Sequence, residues 1–260
     1  MLHSIILGII EGFTEFLPIS STGHIIIYNY FSGADLSSSY VKLFTISVQL
    51  GAILAVVFYY FKDLIKKETI KLLIVGVLPT IALGLIFKNY VDKLLELPML
   101  VAINLIIGGF VIIFVEVLYK KRKSMEGNIL KKEISYKDSA IFGVVQSIAM
   151  VPGVSRSGII IIYGLYKNFD REILAKYTFL LAVPTMIAAT GYSILKSYKL
   201  FLNNTDSYNM FLNLSLGFVS AFVTAMLVVR FAIPFIRKYS FIPFGIYRIM
   251  LGFILIFIMV

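Results

Sequence analysis

The chain has no cysteine. Disulfides and thiolate metal sites are therefore excluded. Charge is scarce: Asp, Glu, Lys and Arg make up 15% of the 260 residues, against 59% hydrophobic. A soluble domain carries about 25% charged residues, so an ordinary soluble fold is excluded as well. No long polar linker interrupts the chain, which reads as one polytopic unit over 1–260. Met1 to Ile10 lacks a basic n-region and a small-residue cleavage site; it is expected to be mature structure and not a signal peptide. The net charge is +10. In a soluble protein that excess would suggest nucleic acid. Here the basic residues fall between apolar runs, where Lys and Arg mark cytoplasmic loops. The expected surroundings are a cell membrane, and nucleic acid is not an expected partner.

A spanning helix needs about 20 apolar residues. Six runs qualify, near 43–61, 71–88, 98–119, 173–195, 209–232 and 243–260. Two further stretches are broken mid-way: 3–31 at Pro18-Ile-Ser-Ser-Thr-Gly23, and 139–166 at Pro152-Gly-Val-Ser-Arg-Ser-Gly158. Proline removes a backbone donor, glycine permits reversal, and irregular backbone at membrane depth survives only under protein or beside a wet cavity. Both stretches read as re-entrant helix–loop–helix hairpins, the alternative being two kinked spans and eight crossings. With six crossings, Lys62, Lys66, Lys67, Lys71, the run Lys120 to Lys123, Lys131, Lys132, Lys137, Lys167, Arg171, Lys176, Arg237 and Lys238 are cytoplasmic. Only Lys42, Lys88, Lys93, Lys196 and Lys199 lie outside. That bias puts both termini outside.

The order of motifs repeats. Pro18 to Gly23 resembles Pro152 to Gly158, Leu78-Pro-Thr-Ile-Ala82 resembles Val183-Pro-Thr-Met-Ile187, and Gly108-Gly-Phe-Val111 resembles Leu216-Gly-Phe-Val219. Each half is one re-entrant plus three spans, so the second half is inverted. The expected fold is an all-α integral membrane protein with about six transmembrane helices and two re-entrant hairpins in an inverted-topology repeat. Repeat 1 covers about 1–120, a basic cytoplasmic loop about 120–138, and repeat 2 about 139–260. Inverted repeats bring broken helices together near the midplane, where sites form.

The segment from Glu11 to His24 places two carboxylates, a run of hydroxyls and an imidazole inside membrane-grade apolar sequence. One ionised side chain in a bilayer costs roughly 2.5 to 3.5 kcal/mol on insertion scales. Glu11 and Glu15, at i and i+4, share a helix face. A hard divalent cation, Mg²⁺ or Ca²⁺, suits such oxygens; the bland alternative is a polar seam between helices. Ser20, Ser21, Thr22 and Gly23 precede a new helix and favour an anion. Ser155, Arg156, Ser157 and Gly158 offer the same with a guanidinium, which grips phosphate bidentately. Plain N-capping is the alternative, but it leaves Arg156 unexplained, read here as the only basic residue in the apolar interior. His24 is a nucleophile, a general base or a hydrogen-bond donor. His3 is given no role. Gln49 and Gln146 hydrogen-bond across the repeat interface or line a pocket. Arg230 and Arg248 are expected to snorkel, and Glu116 to pair with Lys120.

Together these residues resemble the undecaprenyl-diphosphate phosphatases, the bacitracin-resistance family. Glu11 to His24 looks like the family's first signature and Pro152 to Gly158 like its second. Gln49 to Ala55, Phe179 to Pro184 and Ser240 to Arg248 also match, so the resemblance covers nearly the whole chain. It implies a hydrolase of phosphorus-containing anhydrides that converts a C55 polyprenyl diphosphate to the monophosphate, the lipid carrier for cell-wall precursors. It also implies divalent-metal dependence and an active site opening outward. The functional positions it implies are Glu11, Glu15, Ser20, Ser21, Thr22, His24, Ser155, Arg156 and Ser157. Ile159 to Ile162 depart from the family, which often carries a small or hydroxyl residue there. The mechanism expected is metal-assisted phosphoryl transfer, with Glu11 and Glu15 on the metal and Arg156, Ser155 and Ser157 on phosphate oxygens. The nucleophile stays open between His24, Ser21 and water. A lipid flippase is the rival. The partners are the polyprenyl diphosphate and the bilayer, with a homodimer left open.

Overall fold

The computed structural model describes residues 1–94, 96–125, 130–202 and 207–259. The helices run in the order α1 (Leu2–Thr14), α2 (Ser21–Phe31), α3 (Ser39–Tyr59), α4 (Phe61–Leu64), α5 (Lys67–Leu94), α6 (Pro98–Met125), α7 (Tyr136–Ser147), α8 (Arg156–Tyr166), α9 (Arg171–Leu202), α10 (Ser207–Lys238) and α11 (Ile242–Met259). Among the described residues the only β feature is an isolated bridge between Lys131 and Phe169. Among the described residues six helices are long and apolar enough to cross a bilayer: Ser39–Tyr59, Lys67–Val91, Pro98–Met125, Arg171–Lys196, Tyr208–Ile236 and Ile242–Met259. They coincide with the six apolar runs, because about 20 apolar residues in lipid must satisfy their backbone internally and a helix does so.

The two interrupted stretches form pairs of short helices, α1 with α2 and α7 with α8. Their lengths are 13, 11, 12 and 11 residues. At 1.5 Å per residue each reaches roughly 16–20 Å, short of the ~30 Å hydrocarbon core. The breaks follow local chemistry. Pro18 and Pro152 lack an N–H and disfavour helix in the residue before them. Gly153 has φ 88°, and Ser20 and Ser155 take left-handed conformations at φ 72° and 74°.

Helix α3 is the central element, packed on α9 and α10 through buried Val48, Ala52, Ile53, Ala55 and Val56. Helix α1 lies along α10, α7 along α5, and α6 along α11. The α1–α10 contact depends on Gly8 and Gly12: a Cβ on either would stand 2.3 Å from Gly217 O or 2.4 Å from Ala221 O. Small residues at i and i+4 permit that backbone approach, and close packing is what holds helices together in lipid. The outer faces carry exposed Phe110, Phe114, Phe231, Phe253 and Phe257, apolar toward the surroundings as a lipid-facing surface requires.

Three expectations are corrected. The basic run Lys120 to Lys123 belongs to helix α6, not to a loop; Lys and Arg are good helix formers. The connection is correspondingly shorter, α7 starting at Tyr136 under a Ser135–Asp138 capping box; residues 126–129 of the expected loop lie outside the described residues. Glu116 is fully buried and pairs with Arg171, not Lys120. Arg171 also donates to Tyr239 O at 2.8 Å and packs over the Tyr119 and Phe241 rings. Arg248 does not snorkel: it is 0% exposed. The face of α11 that carries it turns toward α6, so Arg156 is not the only basic residue of the interior.

Candidate active site

Each short-helix pair ends its break in the same way. Ser20 caps α2, its Oγ accepting from Gly23 N at 3.3 Å, and Ser155 caps α8, its Oγ accepting from Gly158 N at 3.1 Å. The first turn of a helix leaves backbone N–H groups without intrahelical partners and presents positive potential. Two such turns are brought together here. Ser157 Oγ, at the start of α8, donates to Leu17 O at 3.0 Å, and Arg156 Nη2 donates to Glu15 Oε1 at 2.7 Å.

The contact between the turns forms a chain of three side chains. Ser21 donates a short hydrogen bond to Glu15 Oε2. Glu15 is held on its other oxygen by Arg156. Arg156 is held in turn by Thr178 O, which accepts from Nη1 at 3.1 Å. A guanidinium has five N–H groups, so Arg156 retains three beyond these bonds, and its buried Nε has no partner. Thr22 Oγ1 accepts from Gln49 Nε2 at 2.8 Å, leaving its own proton to give. The hydroxyl protons of Ser157 and Ser155 are already engaged: Ser157 donates to Leu17 O, so Ser155 donates to Ser157 Oγ across 3.2 Å.

Glu11 is 0% exposed, and neither carboxylate oxygen has a hydrogen-bond partner. It lies within electrostatic reach of both Glu15 and Arg156. An ionised carboxylate so buried needs a cation or a proton. Among the described residues no cluster of three or more His, Cys, Asp or Glu gathers, so the pair Glu11 and Glu15 is the whole carboxylate complement of the site.

His24 is turned differently. Its Nδ1 donates to Ser20 O at 2.7 Å, and Tyr247 OH donates to Nε2 at 2.7 Å, the two rings lying 2° from parallel. Both ring nitrogens are engaged, and Ser21 is bonded to Glu15 and not to the imidazole. His3 Nε2 meets Asn29 Oδ1 at 3.2 Å, away from this chain of contacts.

A cavity of about 420 Å³ opens on the site. It runs from Glu15, Ser20, Ser21, Thr22, Ser155, Arg156 and Ser157 past Gln49, Gln146 and Met150 to Lys42, Lys88 and Lys196. Gln146 donates to Thr80 Oγ1 at 2.6 Å and so crosses between the halves. Gln49 bonds within its own half, and both line the cavity. Glu11, His24 and Gly158 stand behind the lining. Sequence reasoning passed over Asn104, whose Nδ2 donates to Pro152 O at 2.8 Å, and over Tyr247, and it gave Arg248 only a snorkelling role. The only sequence signal for the last two is their place in the segment Ser240 to Arg248.

A model of the family described as bacitracin resistance protein BacA matches residues 4–254. An undecaprenyl-diphosphatase of Persephonella marina is 47% identical over 255 residues, 98% of this chain and 97% of the relative. One from Campylobacter jejuni is 46% identical over 258 residues, 99% and 94% of the two chains. Another, from Wolinella succinogenes, is 43% identical over 257 residues, 98% and 96%. Matched from Ser4 to Ile254, with its paired turns inside that match, this chain belongs to the bacitracin resistance protein BacA family.

Proposed function

We propose that this membrane protein hydrolyses undecaprenyl diphosphate to undecaprenyl phosphate and inorganic phosphate. The observation that carries the reading is the chain Ser21–Glu15–Arg156 between two helix N-termini. A hydroxyl bonded to a carboxylate, itself oriented by a third group, is the arrangement of an activated nucleophile. Ser21 Oγ attacks the terminal phosphorus while Glu15 accepts its proton. The bond from that phosphorus to the bridging oxygen breaks, Glu15 passes the proton to that oxygen, and undecaprenyl phosphate leaves, so that Glu15 is again a carboxylate. Water, deprotonated by Glu15, then attacks the phosphoseryl phosphorus and releases phosphate, returning the proton to Ser21. Arg156 supplies unspent N–H groups to the phosphate oxygens, as do the Thr22 hydroxyl and the free backbone donors of α2 and α8. Donors preset at developing charge in a dry site are the largest single term in many enzymes. His24, tied to the Ser20 carbonyl, holds the α2 cap and thereby the position of Ser21.

The site fits a hard divalent cation, Mg²⁺ or Ca²⁺. Glu11 has two orphaned buried oxygens beside Glu15, and carboxylate oxygens are the donors such ions take. Glu11 and Glu15 would hold it, and when bound it would neutralise charge on the diphosphate oxygens. The short helix pairs support re-entrant hairpins, since α1 packs on α2 and α7 on α8. The exchange of partners between halves supports the inverted repeat: α1 packs on α10 as α7 packs on α5. Lys42, Lys88 and Lys196 at one end of the cavity lie on the side the charge bias makes external, which supports outward opening with both termini outside.

The test is phosphate release from undecaprenyl diphosphate by purified protein in detergent, with Mg²⁺ and with chelator. Release by the wild type, lost with chelator, is expected. A folded wild type that binds the lipid and releases no phosphate would refute the reading.

A further inference from the structure

Arg248 is a charged side chain of the protein interior without a carboxylate. It is 0% exposed, and none of the ion pairs among the described residues includes it. All five of its N–H groups end on backbone carbonyls. Nε donates to Leu105 O at 3.4 Å, Nη1 to Pro18 O and Val154 O at 3.1 Å each, and Nη2 to Asn104 O at 3.1 Å and Gly153 O at 2.7 Å. These carbonyls belong to three segments: the turn before α2, the turn before α8, and α6.

Irregular backbone within a membrane leaves carbonyls without ladder partners, and each such group needs one. Arg248 satisfies carbonyls in both breaks with one rigid plane. Its attachment points lie within two residues of Ser20 and directly before Ser155, the two caps in left-handed conformations. Space for the guanidinium is provided by Gly108, where a Cβ would stand 2.2 Å from Nη2. Asn104 adds a second tie from α6, through its side chain to Pro152 O.

The geometry points to Arg248 as a positioning residue for phosphoryl transfer: it staples the two turns to each other and to α6, so that Ser21 and Glu15 face Arg156 in register. This rests on the proposed hydrolysis. A planar fork with five fixed donors is required, because a lysine ammonium offers three donors from one point. The staple touches no reacting atom, so its loss disturbs the alignment of the reacting groups more than the affinity for a lipid held largely by its tail.

The experiment measures kcat and KM for phosphate release from undecaprenyl diphosphate, with thermal stability in detergent, for wild type, Arg248→Lys and Gly108→Ala. The glycine variant keeps the guanidinium and pushes it off α6. In both variants kcat is expected to fall about 30-fold or more while KM stays within about 3-fold, in protein that still melts cooperatively. Folded Arg248→Lys with wild-type kcat overturns the staple, as does an equal loss carried wholly in KM. If Arg248→Lys does not fold, Gly108→Ala decides by the same criterion. If neither folds, Arg248 is a general bundle support and the positioning role is wrong. A wild type without turnover would instead strike at the proposed hydrolysis, separately from this inference.

Discussion

The turn before α2 and the turn before α8 share a backbone design and differ in what they carry. Each places a serine cap in the left-handed region, takes a glycine N–H onto that serine, and starts an 11-residue helix. The first turn follows two carboxylates and delivers Ser21 and Thr22. The second has no carboxylate between Asp138, at the far end of α7, and its own cap, and it delivers Arg156. A repeated frame has been loaded with opposite charge, and neither turn is competent by itself. A carboxylate at that depth is expensive alone; the guanidinium that offsets Glu15 comes from the other half of the chain. The same asymmetry separates the fully buried Arg248 from the part-buried Arg156. Arg248 spends every donor on carbonyls, whereas Arg156 retains three.

The sharpest way to break the comparison is to strip the first turn of its reacting group. Ser21→Ala is expected to lower phosphate release at least 10³-fold, about 4 kcal/mol in barrier at 1.36 kcal/mol per decade, with thermal stability little changed. Turnover near wild type would mean that the hydroxyl bonded to Glu15 is not the nucleophile. Glu15→Gln should fall almost as far but also melt lower, because Arg156 then loses its buried partner, a change that typically costs 3–5 kcal/mol.

The second turn is probed by Arg156→Lys. Charge is retained, but the planar two-point grip is lost, and kcat should drop on the order of 10²-fold. A lysine variant as active as wild type would reduce Arg156 to a counter-ion for Glu15. The smallest effect is expected where the turns are most alike. Ser20→Ala and Ser155→Ala each remove a cap worth about 1 kcal/mol. Ser155→Ala should be the more damaging, since its hydroxyl also supports Ser157, the tie to Leu17. Equal melting temperatures for the two variants would show that this link contributes nothing.

The reading of Glu116 shows where sequence reasoning fails and why. Lys120 stands one helical turn away, and spacing alone makes it the natural partner. The actual partner, Arg171, is 55 residues distant, and its guanidinium also packs on two aromatic rings. Arg248 fails in the same manner. Near a span end a basic residue can reach the interface, and nothing local says that the face of α11 bearing it will be covered by α6 and both turns. The sequence leaves His24 open between nucleophile, general base and hydrogen-bond donor, and nothing local points to Tyr247, 223 residues away, which engages its second nitrogen.

The sequence by itself determined the class of molecule, the six long helices and the two breaks. Apolar length, proline, glycine and serine caps act over a few residues and leave little alternative in a bilayer. It also set carboxylates, hydroxyls and a guanidinium in apolar surroundings, and the resemblance of those two motifs to a family supplied the chemistry. Only the tertiary structure decided the pairings: Ser21 with Glu15, Glu15 with Arg156, and Arg248 with both turns. Those bonds join groups up to 230 residues apart. Which buried donor meets which acceptor depends on how the helices pack, and helix packing is a property of whole faces that no local spacing encodes.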